Sequence, residues 1–240
     1  MISTGFCCVK NSDTLGLMFK EETEHELEYY CKDALGNTGA LDVEKFKVQG
    51  TSFNITLNKK WNLVSVPFVM LDGSIDAAFA DIEDKVIGVW TYDGSTDTWY
   101  VYKPNGPNTI HEMVPGWGYW VLMNDSATMN IGGSLFSPAQ TPPQKQLVHG
   151  WNLIGYYDTD GLLSYNGPFG YGRTSYCALQ SLVDTQIGYP RWSSLLTYWQ
   201  PISPTWKYLD TMDKMDPGAG YWLEIDVADT YAFSTTCGLV

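Results

Sequence analysis

The chain has 240 residues, of which 44% are apolar, 15% aromatic and only 17% charged, with a formal net charge of −13. That charge, with no basic stripe to displace counterions, argues against nucleic acid or an anionic bilayer as a partner. Ten Trp, sixteen Tyr, 23 Gly and 12 Pro, without runs of Lys, Glu, Leu and Ala, argue against a helical bundle and for short strands joined by tight turns.

Taken in chain order, residues 1–52 read as an N-terminal hairpin segment. Glu26–Tyr30 and Val43–Val48 alternate in polarity around a corner at Asp33 and Gly36-Asn37, an element that resembles the end of an Ig-like repeat. Residues 53–136 form a first β-module, 137–144 (SPAQTPPQ) a linker, and 145–240 a second β-module with an insertion near 158–190. The expected fold class is all-β with short helices: two tandem similar β-modules plus the N-terminal hairpin. No stretch of 18 apolar residues is present, so no membrane insertion is expected. The opening MISTGFCCVK lacks the apolar centre of a signal peptide, so a secreted form would be a mature fragment.

The two modules are read from an internal repeat. Trp61-Asn62-Leu63-Val64 recurs as Trp151-Asn152-Leu153-Ile154, Thr91-Tyr92 as Thr197-Tyr198, and Trp99 as Trp206. Pro115-Gly116-Trp117-Gly118-Tyr119-Trp120 recurs as Pro217-Gly218-Ala219-Gly220-Tyr221-Trp222. The offsets run 90, 106, 107 and 102 residues, which places the insertion after the first strand of the second copy. Helices are expected at 74–82 and 176–184, where Ile75, Ala78, Phe79 and Ile82, and then Leu179, Leu182 and Val183, fall on one face. In the Gly-x-Gly-Tyr-Trp strand, alternation turns Tyr119, Val121 and Met123 inward, with Tyr221, Leu223 and Ile225 as their counterparts. Trp120 and Trp222 lie on the opposite face, nearer solvent. Asn62 and Asn152, recurring beside a Trp, are expected to bond neighbouring backbone.

The five cysteines, Cys7, Cys8, Cys31, Cys177 and Cys237, match no zinc spacing. In an oxidising compartment they suggest a Cys177–Cys237 disulfide and a bond from Cys31 to Cys7 or Cys8; reduced buried thiols are the other reading. Asn54-Ile55-Thr56 and Asn124-Asp125-Ser126 fit the N-glycosylation sequon.

The pattern Trp61-Asn62-Leu63-Val64-Ser65-Val66-Pro67 followed by Pro-Gly-x-Gly-Tyr-Trp resembles a module found repeatedly in secreted archaeal and bacterial cell-surface proteins. The resemblance covers about 58–240, and the second copy departs from it at Gly155-Tyr156-Tyr157. It implies an extracellular, multi-domain setting and carries no catalytic residues with it.

Residues shared by both copies (Trp61/Trp151, Trp99/Trp206, Tyr119/Tyr221 and Trp120/Trp222) read as core or sheet-packing groups. Aromatics without a counterpart read as candidates for a site. Trp117, Trp192 and Trp199, with Tyr189 and Arg191 beside the glycine-rich Tyr165–Gly172 stretch, could stack on and bond a glycan; extra core is the competing reading. Asp93 and Asp97 could offer oxygens to Ca²⁺ as a cofactor, although a plain turn also explains them. His111-Glu112 has no second His, and neither a Gly-x-Ser-x-Gly elbow nor a phosphate loop is present. The expected function is a non-catalytic extracellular structural or adhesion region, partnered by glycans or other surface proteins. The alternative is a carbohydrate-active protein, either a glycan-binding module or an acidic-residue glycoside hydrolase.

Overall fold

The computed structural model describes residues 24–30, 32, 35–47, 51–134, 143–157, 173–184, 186–199 and 205–232. The chain divides into two compact units between Thr51 and Ser52. The first contains the expected hairpin: strands β1 (Glu24–Tyr29) and β2 (Asp42–Lys47) pair antiparallel, Glu24 opposite Lys47 and Tyr29 opposite Asp42. A Lys32–Thr38 bridge narrows its loop, and Gly36 takes φ 91°, a conformation that favours glycine. Cys7, Cys8 and Cys31 lie outside the described residues.

The other described strands, the first of which starts at the boundary residue Thr51, belong to the second unit. Its first half comprises β3 (Thr51–Leu57), β4 (Lys60–Ser65), β5 (Val69–Met70), β6 (Val86–Asp93), β7 (Thr98–Tyr102), β8 (Gly118–Met123) and β9 (Ala127–Ser134). Its second half comprises β10 (Gln144–Leu147), β11 (Gly150–Gly155), β12 (Trp192–Trp199), β13 (Thr205–Tyr208), β14 (Gly220–Ile225) and β15 (Asp229–Ala232). Four strands of each half form an antiparallel sheet, in the order β4-β8-β6-β7 and β11-β14-β12-β13. Both sheets carry a register shift at the start of their third strand, between Val86 and Gly88 and between Trp192 and Ser194. In each half the strand preceding the sheet pairs with the one following it, β3 with β9 and β10 with β15.

Alternation explains what is buried. Tyr119, Val121 and Met123 point into one core with Phe68, Phe79 and Ile131, while Tyr221, Leu223 and Ile225 point into a second core with Leu179, Leu195 and Met215. Each tyrosine is held at its tip, the Tyr119 hydroxyl accepting from Val114 N–H and the Tyr221 hydroxyl from Asp216 N–H, both at 2.7 Å. Asn62 and Asn152 act as expected. Each side-chain amide donates to a carbonyl four residues back (Asn58 and Val148) and accepts from the same residue's N–H, which closes the turn into β4 or β11.

The helices are shorter than expected. α1 (Ile75–Phe79) passes into a 3-10 turn at Ala80–Lys85, and α2 (Ser175–Ala178) is followed by a 3-10 turn at Gln180–Leu182. Ser74 and Thr174 cap them, accepting from the N–H of Ala77 and Cys177. The apolar faces are as expected, with Ile75, Phe79, Ile82, Leu179 and Leu182 all buried. Gln144 opens β10 instead of ending a linker. Residues 137–142 and 158–172 lie outside the described residues.

The turn before each sheet requires a left-handed residue at the same repeat position. Gly150 supplies it at φ 93°, whereas Lys60 is forced to φ 80°. Lys60→Gly should therefore raise stability by about 1 kcal/mol, read as a higher urea midpoint with an unchanged slope. An unchanged or lower midpoint would contradict strain at this position.

Candidate functional site

The recurring Pro-Gly pairs shape the junction between the halves. Gly116 and Gly218 have φ of 86° and 81°. The N–H groups of Trp117 and Ala219 donate to the carbonyls of Val114 and Asp216 at 3.2 and 3.1 Å, so each Pro-Gly closes a type II turn. Each turn presents its glycine carbonyl to the other half. Ser65 N–H donates to Gly218 O and Gly155 N–H to Gly116 O, both at 2.9 Å. Matching bridges join Val64 to Ala219 and Ile154 to Trp117. These pairs are equivalent under the repeat, so the exchange is reciprocal, like that of a two-fold interface within one chain. The approach is close enough to require glycine. A Cβ on Gly118 would meet Ile154 O at 2.5 Å, and one on Gly220 would meet Val64 O at 2.7 Å.

The Trp-bearing faces of both sheets turn toward this junction. Trp120 packs edge-on against Trp206, with centroids 5.7 Å apart, and Trp222 packs against Trp99 at 6.1 Å. These contacts again correspond under the repeat. The remaining ring faces line two open clefts. The first, about 410 Å³, is bounded among the described residues by Trp61, Trp90, Trp99 and Trp120. The second, about 480 Å³, is bounded by Trp151, Leu196, Trp206, Tyr208 and Trp222. Trp61, Trp99, Trp151 and Trp206 are 39%, 51%, 42% and 45% exposed, so of the two readings of the shared tryptophans, core or sheet packing, core needs correction. They sit on the opposite parity from Tyr119 and Tyr221, and recurrence marks a shared junction as well as a shared core.

One residue of this junction was not singled out in the sequence. Lys145 on β10 is 3% exposed. Its Nζ donates to Leu153 O at 2.5 Å and to Tyr92 O at 3.2 Å, and lies 3.6 Å over the Trp117 ring. Burial lowers its pKa to about 7, opposed by the negative charge of Asp93. The repeat holds the missed signal: 90 residues earlier stands Ile55, also buried, so Lys145 is a charge on an inward strand position.

Of the residues read as a glycan site, three have other engagements. Trp117 packs on the first core and under Lys145, whereas Trp192, 9% exposed, belongs to the second core. Arg191 bridges Asp229 and Asp184 at 2.6 and 3.3 Å. The Gln186 N–H first, and then Arg191, hold Asp184 below the usual carboxylate range. Tyr189 is 70% exposed. The Trp199 side chain and the Tyr165–Gly172 stretch lie outside the described residues. Asp93 accepts from the N–H and hydroxyl of Ser95, and Asp97 from the Tyr92 hydroxyl, contacts that belong to the β6–β7 turn. No group of three or more Asp, Glu, His or Cys suited to a metal occurs among the described residues.

Both sequon asparagines are exposed. Asn54 lines a cleft of about 510 Å³, while Asn124 donates to Asp84 O. Cys237 lies outside the described residues, so the Cys177–Cys237 pairing remains an expectation. Among the described residues no helix is long and apolar enough to cross a membrane. No protein-family model, curated protein or solved structure matches this chain.

Proposed function

We propose that the chain is a non-catalytic structural or adhesive region of an extracellular surface protein, built from two copies of one β-module locked face to face. The observation that carries this reading is the reciprocal exchange at Ser65–Gly218 and Gly155–Gly116. The most distinctive repeated motif, Pro-Gly-x-Gly, is used to join one copy to the other. A motif used this way makes a stiff two-module unit with a fixed spacing, which suits a load-bearing or presenting role. The resemblance to surface-protein modules and the exposed sequons at Asn54 and Asn124 support the extracellular setting.

Three measurements test it. Antibodies to the folded protein should label intact cells, and non-reduced peptide mapping should recover Cys177 joined to Cys237. Labelling only after permeabilisation, together with free thiols at both positions, would overturn the extracellular reading. Turnover of a soluble polysaccharide would overturn the non-catalytic one and favour the carbohydrate-active alternative.

A further inference from the structure

We propose that the cleft formed by Trp61, Trp90, Trp99 and Trp120 binds a small soluble quaternary-ammonium cation of the choline type. This goes beyond the structural reading and stands independently of it. The ring arrangement is the first ground. Trp61 meets Trp90 at 54°, with centroids 5.1 Å apart, and meets Trp120 at 90° with centroids 6.0 Å apart. Walls at steep angles surround a compact group, whereas stacking on a sugar face calls for a flat platform. The lining is the second ground. Among the described residues it consists of four indoles, which offer π-faces but few groups to satisfy sugar hydroxyls or the three N–H donors of a primary ammonium. A trimethylammonium group needs no hydrogen bonds and is attracted by ring quadrupoles. Charge is the third ground, because a net charge of −13 concentrates cations at the surface and repels anions.

The cleft also has an indole wall at Trp90, where its counterpart has Leu196 and adds the phenol of Tyr208 instead. Trp90 lies over Gly88, where an added Cβ would come within 2.8 Å of the indole. In the other half these positions are Leu196 and Ser194, by the same strand pairing to β8 and β14. Glycine and tryptophan therefore occur together in the first half and are both replaced in the second. Elsewhere in the fold the Lys145 Nζ sits over an indole face, 3.6 Å from the centroid of Trp117.

The test is a tryptophan-fluorescence titration of the whole chain with choline, with its neutral carbon isostere 3,3-dimethylbutan-1-ol, with ethanolamine and with cellobiose. Choline should give a saturable change, with the isostere and ethanolamine about tenfold weaker or more, the scale of a desolvated cation–π contact. Trp90→Leu, which copies the second half, should weaken choline by about tenfold and leave the melting temperature nearly unchanged. Trp99→Ala provides a second variant at a more exposed ring. Equal binding of the isostere, preference for cellobiose, absence of saturation with choline, or full choline binding by both folded variants would each overturn the proposal.

Discussion

The stability of the native chain should climb by about 3 kcal/mol between about pH 7 and pH 9.5, and Lys145→Met should remove most of that climb. The folded pKa of Lys145 is about 7, against 10.5 for an unburied lysine. Between those values the unfolded chain holds a proton at this residue that the folded chain has released. Stability therefore rises with pH across the window, because the unfolded state binds more protons. Below the folded pKa both states are charged, and the full burial penalty applies; above the unfolded pKa it has vanished.

Other groups titrate in or near this range, so the difference between wild type and variant is the quantity to read. The buried phenols of Tyr119 and Tyr221, pushed up by desolvation, act in the opposite sense. Above about pH 10 the unfolded chain ionises first and stability falls, which sets the upper limit of the window. Met fills the space of the lysine stem but leaves the carbonyls of Leu153 and Tyr92 without the ammonium, a cost of about 1–3 kcal/mol each where they find no water. The sign of the change at one pH is therefore not diagnostic, while the difference in slope is. Urea midpoints at several pH values for both proteins would measure it. Parallel curves would show that Lys145 stays charged in the fold, held by Asp93 and the Trp117 ring more strongly than burial opposes it.

The elements were legible because period and turn chemistry agree in both halves. Strand parity correctly turned Tyr119, Val121 and Met123 inward, and Ser74 and the Ile75–Ile82 face located the first helix. The helices came out shorter because Ala80 and Gln180 begin 3-10 turns that lead straight into the following strand or loop. The site was harder to read, since a sequence compares copies but does not show them touching. Trp99 and Trp206 recur because each meets a tryptophan of the other half, an arrangement that periodicity along one strand cannot reveal. Trp117 lacks a counterpart for a related reason. Ala219 and Ile55 line one cleft, whereas Trp117 lies beneath Lys145, so the two differences between the copies read as one paired exchange.

Gly155→Ser should cost about 2–3 kcal/mol, and combining it with Ser65→Gly should return about 1–2 kcal/mol of that loss. The two positions are equivalent under the repeat and face each other where the halves join. A Cβ on Gly155 would lie 2.6 Å from the Ser65 Cβ and 2.4 Å from Trp117 O. Both neighbours are parts of paired strands or bridges, so neither can swing aside as a flexible side-chain tip would. Only one of the two positions can carry a side chain, and in this chain it is Ser65, whose hydroxyl donates to Ala219 O at 2.7 Å. Ser65→Gly alone loses that bond and adds backbone freedom to the unfolded chain, for about 1–2 kcal/mol. In the double variant the serine moves to the opposite side of the junction, and the vacated space at residue 65 relieves the side-chain clash, that with the Ser65 Cβ. The residual contact with Trp117 O is why recovery should be partial. Chemical denaturation of the four proteins gives the coupling directly, since residues in contact depart from additivity. Single and double costs that simply add would mean that Ser65 and Gly155 do not share one space, and the reciprocal junction proposed for the two halves would lose its central contact.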